Sequence, residues 1–344
     1  MSPSDVIANE GAGVTVGDAR GSIMRRLSRL QSRYPLIQLL ALIAIVVYGV
    51  VSIPGYGSTS SLKAMAVLSA LLGLAALPQT LVALVGGIDF SIPGFITAGG
   101  VMTVVLTGDH HWAIYAVIPL IIVSCAAAGA LSGFVCHRFA ANPLVITLGM
   151  YAVVEGVVLA CTSGNITEVP PASLSRWAAV DGTTLGVGIP PVVVLWIAVA
   201  IITGLVLSRT PAGLRLYATG TNLRAARLAL VRTELVWTVV FMLSAVLSGL
   251  AGLLICGYSS GAGETMGDPY LFQGLTAVIV GGTAIGRSHG DYWRTVLGAL
   301  IIITLTTVFI GKGLSDTETQ ITFGFLILVV VAGYGRQRRL QDRV

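Results

Sequence analysis

Apolar runs long enough to cross a bilayer recur along almost the whole chain, and this recurrence limits the fold more than any other feature. Ten runs stand out, at 35–53, 63–85, 93–108, 113–136, 142–163, 190–208, 235–257, 270–286, 295–311 and 320–335. A helix needs about 20 apolar residues to span the hydrocarbon core. The third and eighth runs are short or broken by glycine. Only 10% of the residues are charged, against roughly 25% in a soluble domain, and mean hydropathy is +0.89. Such a chain cannot cover a water-facing surface with polar groups. The expected fold is an all-α polytopic membrane protein of about ten transmembrane helices, with a broken helix near 86–94.

The net charge of +5 does not point to nucleic acid, because the basic residues sit in short segments between apolar runs. That placement sets membrane orientation. With a cytoplasmic N-terminus and ten crossings, only Lys63, Arg176 and Lys312 of the 20 Lys and Arg residues fall outside; the other 17 lie inside. Both termini are therefore expected in the cytoplasm. Residues 1–33 read as a polar tail, disordered over 1–20, 34–335 as the transmembrane domain, and 336–344 as a basic tail. No apolar core with a small-residue cleavage site occurs early, so the first run reads as a retained anchor rather than a cleaved signal. Cys125, Cys136, Cys161 and Cys256 lie in or beside apolar runs without metal-ligand spacing and read as packing residues. His110, His111 and Trp112 read as an interfacial turn.

The stretch GGIDFSIPG at 86–94 interrupts this pattern. Its glycines relax the backbone, and Pro93 removes a donor and resists helix continuation. Ser91 suits an N-cap, with Pro93 in the first turn of the next helix. Broken backbone at membrane depth occurs where protein buries it or where it lines a wet cavity. Asp89 is one of two acids placed at or within the runs; the other is Glu155. An ionisable group there marks a functional hypothesis. Asp89 and Ser91 either form or gate a translocation path, or Asp89 caps a helix N-terminus. Asn142 and Thr147, at the start of the fifth run, divide between the same roles. Glu155 is a further path candidate. Gly129, Gly133 and the GLAGL stretch at 249–253 suit close helix packing.

Two connecting segments are long. Residues 164–189 form an outer segment that either caps the face, meets a partner or simply connects. Residues 209–234, RTPAGLRLYATGTNLRAARLALVRTE, form an inner segment rich in arginine. Thr221 and Asn222 can cap a short amphipathic helix over 223–231. It reads either as an anchor on anionic lipid or as a docking helix for a soluble partner.

Four stretches together resemble a known family. GGIDFS resembles the GGIDLS signature of permease subunits of sugar-type ATP-binding cassette (ABC) importers, the ribose and xylose permease family. NPLVITLG at 142–149, ATGTNLRAARLALV at 218–231 and LFQGLTAVIVGGTAIG at 271–286 resemble its other segments, in the same order. Three departures stand out, and the first is Pro93, where the family more often has a glycine or valine neighbourhood. Leu230 occupies a position where the family usually has glycine, and RSHGDYWRTVLG at 287–298 replaces a glycine-rich stretch. The resemblance implies a non-enzymatic permease subunit without cofactor. It would work with two cytoplasmic ATP-binding subunits, an extracytoplasmic sugar-binding protein and a second permease, as homodimer or paralogous heterodimer. It further implies that 209–234 couples to the ATPase through Asn222, Ala225, Ala226 and Arg227. The chain has no G-x-x-x-x-G-K-[ST] of its own, so ATP energy must come from another subunit. The competing expectation is a stand-alone ion-coupled transporter using Asp89 and Glu155. An intramembrane enzyme ranks last, because the four histidines sit at run edges or in loops. The solute stays open among pentoses, hexoses and a furanosyl signalling compound.

Overall fold

The computed structural model describes residues 35–283, 290–315, 317–326 and 328. The two tails, 1–33 and 336–344, lie outside them. Twelve helices are bounded: α1 Leu36–Ser52, α2 Thr59–Leu84, α3 Ile92–Gly108, α4 Ile114–Arg138, α5 Pro143–Thr162, α6 Ala172–Ala178, α7 Pro191–Arg209, α8 Pro211–Thr221, α9 Leu223–Leu228, α10 Thr233–Ser259, α11 Asp268–Gly281 and α12 Tyr292–Gly311. A further helical stretch covers 317–326; the tenth expected run continues beyond the described residues.

Among the described residues, six helices are long and apolar enough to cross a membrane: α2, α4, α5, α7, α10 and α12. The expected count of about ten is not confirmed by these six. α1 and α3 have 17 residues each and α11 has 14. Glycine ends one of the short ones. Gly282 adopts φ +95° as the C-cap of α11, and Gly86 adopts φ +91° two residues past the end of α2, a left-handed conformation that glycine adopts freely.

α2 is the central helix. Its apolar window is 94% buried, against 11% for α5. An apolar helix can be covered by protein or by lipid, and α2 is covered by protein: α3, α7, α10, α11 and α12 pack about it. Pro78 sits inside it, where it removes one backbone donor. Side chains tie it outward. The Tyr292 hydroxyl donates to the Gly73 carbonyl at 2.7 Å and accepts from Trp196 Nε1 at 3.1 Å. Thr80 and Thr295 share a hydroxyl hydrogen bond at 2.8 Å. α1 sits outside, on α12, with Ile37, Leu40 and Val51 exposed.

α10 forms the second axis and runs along α4 and α3. The contact is close because glycines lie in it. A Cβ at Gly133 would come within 2.7 Å of the Trp237 carbonyl oxygen, and one at Gly129 within 2.5 Å of the Phe241 oxygen. The outer segment 164–189 contains the short α6, whose Leu174 packs on Gly257 of α10.

Prolines start several helices. Pro93, Pro143, Pro191 and Pro211 occupy the first or second position of α3, α5, α7 and α8, where the missing donor costs nothing. The inner segment departs from expectation. Its short helix begins at Leu223 but stops at Leu228 rather than Val231, and a second helix, α8, precedes it. The α8 backbone stays helical through Gly220 while the Thr219 and Thr221 hydroxyls donate to the Arg215 and Tyr217 carbonyls, both at 2.8 Å.

Candidate functional site

The break between α2 and α3 is closed by a few polar bonds. Past Leu84, the Gly86 and Gly87 amides donate back to Ala83 and Val82, each at 3.0 Å. The chain then extends through Asp89, which is 1% exposed. Asp89 Oδ1 accepts from the Ser91 amide at 2.9 Å and from the Ser91 hydroxyl. Asp89 Oδ2 accepts from the Ser244 hydroxyl of α10 at 2.6 Å. The first of these is an Asx-turn, in which a side chain replaces a turn carbonyl and redirects the backbone into the next helix. Ser91 holds the N-cap position of α3, but its side chain makes no capping bond; the nearby carboxylate is the stronger acceptor.

Two neighbouring helices complete the stitching. The Asp89 amide donates to Gln79 Oε1 of α2 at 3.3 Å. The Phe90 amide donates to Thr147 Oγ1 of α5 at 3.0 Å. α2, α5 and α10 thus all hold the break, and Asp89, Ser91 and Thr147 come together there. Asn142 does not join them: it is exposed, and its side chain caps α5 by accepting from the Leu144 amide at 3.1 Å. Glu155 stands apart too. It faces the Tyr151 hydroxyl, which donates to Asp268 Oδ1 of α11 at 3.0 Å. Sequence reasoning overlooked Gln79, Ser244, Tyr151 and Asp268. A lone amide beside Pro78 and an acid before Pro269 were the available signals. Among the described residues, no group of three His, Cys, Asp or Glu side chains could hold a metal.

The inner segment connects to the same helices. Asn222 caps α9, accepting from the Arg224 amide at 3.0 Å and the Ala225 amide at 3.1 Å. Ala226 is buried and Ala225 exposed. Arg227 Nε donates to Thr233 Oγ1 at 3.2 Å, its other nitrogen lies 3.1 Å from His137 Nε2, and that nitrogen lies 3.0 Å from Thr233 Oγ1. Arg227 therefore joins α9 to the end of α4 and the start of α10, beside an open cleft of about 710 Å³ lined also by Arg138 and Arg232. Eleven residues along α10 from Thr233 stands Ser244, which holds Asp89. At 1.5 Å per residue, one rigid helix spans the roughly 16 Å between the two bonds.

Leu230 adopts φ +60°. Its amide donates to the Arg227 carbonyl and the Val231 amide to the Ala226 carbonyl, both at 3.0 Å. That is the Schellman ending of a helix, whose left-handed position glycine normally fills. A leucine there carries roughly 1–2 kcal/mol of steric cost, and its side chain is 91% exposed, so burial returns little. Leu230→Gly is expected to raise unfolding stability by about 1 kcal/mol, measured by reversible unfolding in mixed micelles. A destabilised variant would show that the exposed side chain holds the segment.

Residues 61–332 match the family described as branched-chain amino acid transport system / permease component. The chain is similar to the ribose import permease protein RbsC of Escherichia coli, at 29% identity over 88% of this chain and 93% of that one. It is similar to the RbsC of Haemophilus influenzae at 28% identity, over 74% and 79% of the two chains. It is also similar to the autoinducer 2 import system permease protein LsrD of Klebsiella pneumoniae, at 30% identity over 76% and 79%. No solved structure matches the chain. With its helical, multi-pass architecture, the chain belongs to the permease-component family that includes the permeases of sugar ABC importers.

Proposed function

We propose that this permease subunit carries a sugar or sugar-like solute across the inner membrane, powered by two separate cytoplasmic ATP-binding subunits. An extracytoplasmic binding protein delivers the solute, and a second permease, identical or paralogous, completes the path. Ten spans with both termini in the cytoplasm fit the distribution of Lys and Arg. Binding selectivity rests mainly with the binding protein, so the solute stays at the level of a hydroxylated small molecule.

The observation that carries this proposal is the Arg227 cluster. A short capped helix outside the long apolar spans, bonded to α4 and α10, suits a lever that a soluble partner pushes. Motion of α9 would reach Thr233, pass along α10 and arrive at Ser244, the hydroxyl that holds Asp89. Asn222 shapes the lever, Ala225 offers a small exposed contact, Ala226 packs inward and Arg227 transmits. Asp89, Ser91 and Thr147 then form the gate at the break. Asn142 sets the start of α5, and Glu155 stands by the path beside Tyr151.

The test is co-purification from native membranes in mild detergent. Wild type is expected to bring down an ATP-binding subunit. Arg227→Glu reverses the charge at the cluster, removes the donors to Thr233 and His137, and is expected to weaken recovery about tenfold or more. Full recovery with the variant would exclude Arg227 from coupling. A wild type that brings down no ATPase, where known complexes survive, would end the importer proposal.

A further inference from the structure

We propose that Gln79 and Tyr270 line a closed solute-contact site beside the break, in a gap that widens during the transport cycle. This rests on the importer function proposed above and names residues within it. Gln79 lies on α2, 3% exposed, and its Nε2 has no hydrogen-bond partner. Its Oε1 is engaged by the Asp89 amide, so the donor end of the same amide is left over. A buried polar group without a partner is costly and calls for an explanation.

Gln79 borders a narrow gap of about 170 Å³ of empty space, lined also by Ala75, Ile92, Tyr270, Gly274 and Leu275. The gap is too tight for a water molecule, so water does not satisfy the amide in this state. It lies where α2, the start of α3 and α11 meet. Ala75 and Ile92 are sealed, while Tyr270 and Leu275 are only half-buried. At Gly274, α2 and α11 touch through small groups: a Cβ there would meet Ala76 at 3.8 Å. A glycine–alanine contact of this kind resists parting less than interlocked side chains would. Parting would free two amide donors on Gln79 and one face of the Tyr270 ring. An amide beside an aromatic ring recognises a neutral, hydroxylated ring: the amide bonds hydroxyls, and the aromatic face covers the C–H surface. The same motion pulls on the Asp89 amide, which couples the site to the break.

The test uses the full chain in native membranes with its partners, in a Cys161→Ser background, since Cys161 is exposed. Ala75→Cys is labelled with 2-aminoethyl methanethiosulfonate with and without ATP. Gly274→Cys serves as a second reporter, and Ala83→Cys, buried on α2 away from the gap, as control. Labelling of both reporters is expected to quicken about tenfold during ATP turnover, with the control silent, as a minor open state becomes populated. D-ribose, D-xylose or D-galactose is expected to slow that labelling, and Gln79→Leu to remove the protection without preventing opening. Silent reporters while a co-purified ATPase turns over would overturn the site and leave the importer function standing. Opening that none of the three sugars slows, or protection that survives Gln79→Leu, would overturn the solute contact. Absence of any ATPase would overturn both proposals.

Discussion

Asp89→Leu is expected to lower the unfolding stability of the isolated chain by about 3 kcal/mol, the sum of lost bonds to a charged acceptor and a stranded donor. Leucine preserves bulk but offers no acceptor. The Ser244 hydroxyl can turn back to a carbonyl one helical turn away, as Ser248 does towards Ser244 at 2.7 Å. The Ser91 amide has no such freedom: its bond to Asp89 Oδ1 defines the turn into α3. The loss should therefore split unevenly. Asp89→Asn keeps an acceptor for that amide and is expected to cost about 1 kcal/mol. Ser244→Ala removes only the bond across to α10 and is expected to cost about 1–2 kcal/mol. Reversible unfolding in mixed micelles measures all three, and a double-mutant cycle between Asp89 and Ser244 isolates their coupling. A Leu variant within about 0.5 kcal/mol of wild type, the range of a neutral surface change, would show that the break is held by packing alone.

The position of the break was legible from GGIDFSIPG, because glycine and proline act through local backbone rules. The partners of Asp89 were not legible. Gln79 and Ser244 lie 10 and 155 residues from it in sequence, and Thr147, which holds the Phe90 amide, lies 57 from Phe90, and small polar residues in apolar runs look alike until helices meet. Asn142 shows the same limit from the other side. Its cap on α5 is local and readable, whereas its distance from the break depends on helix packing. Leu230 was visible as a departure from the resemblance, and its left-handed backbone is one that glycine fills more readily than leucine. The Tyr292 and Trp293 departure resolves differently. Tyr292 is fully buried and links α2, α7 and α12 through one hydroxyl, so a stretch that reads as a loop substitution includes a core anchor. The count of about ten is not confirmed by helix length: α1 and α3 have 17 residues each and α11 has 14, where Gly282 caps it.

Gly252→Val is expected to be the most damaging single substitution along α10, costing about 3 kcal/mol or more by overpacking against a backbone that cannot yield. A Cβ at Gly252 would overlap the Ile96 carbonyl of α3, and one at Gly99 of α3 would overlap the Gly249 carbonyl of α10. Each helix thus presses its backbone against a glycine of the other, three residues apart on both. Side chains at such a contact cannot rotate away, because the obstacle is main chain on a helix whose own hydrogen bonds are made. Relief requires moving α3 bodily. Ser244, Ser248 and Gly252 lie four residues apart and so share one stripe of α10. The movement that admits a valine at one end of that stripe lengthens the Ser244 bond to Asp89 at the other. Gly252→Val should therefore lose most of the Asp89–Ser244 coupling energy as well as packing, and Gly252→Ala part of each. Gly149 of α5 supplies the contrast. A Cβ there meets nothing within 4 Å, so Gly149→Ala in the isolated chain is expected to be neutral or to gain up to about 1 kcal/mol from helix propensity. Opposite signs at two helical glycines would tie the cost to the α3–α10 contact. Equal losses at both would assign it to glycine's backbone instead and remove the close approach as the brace of the break.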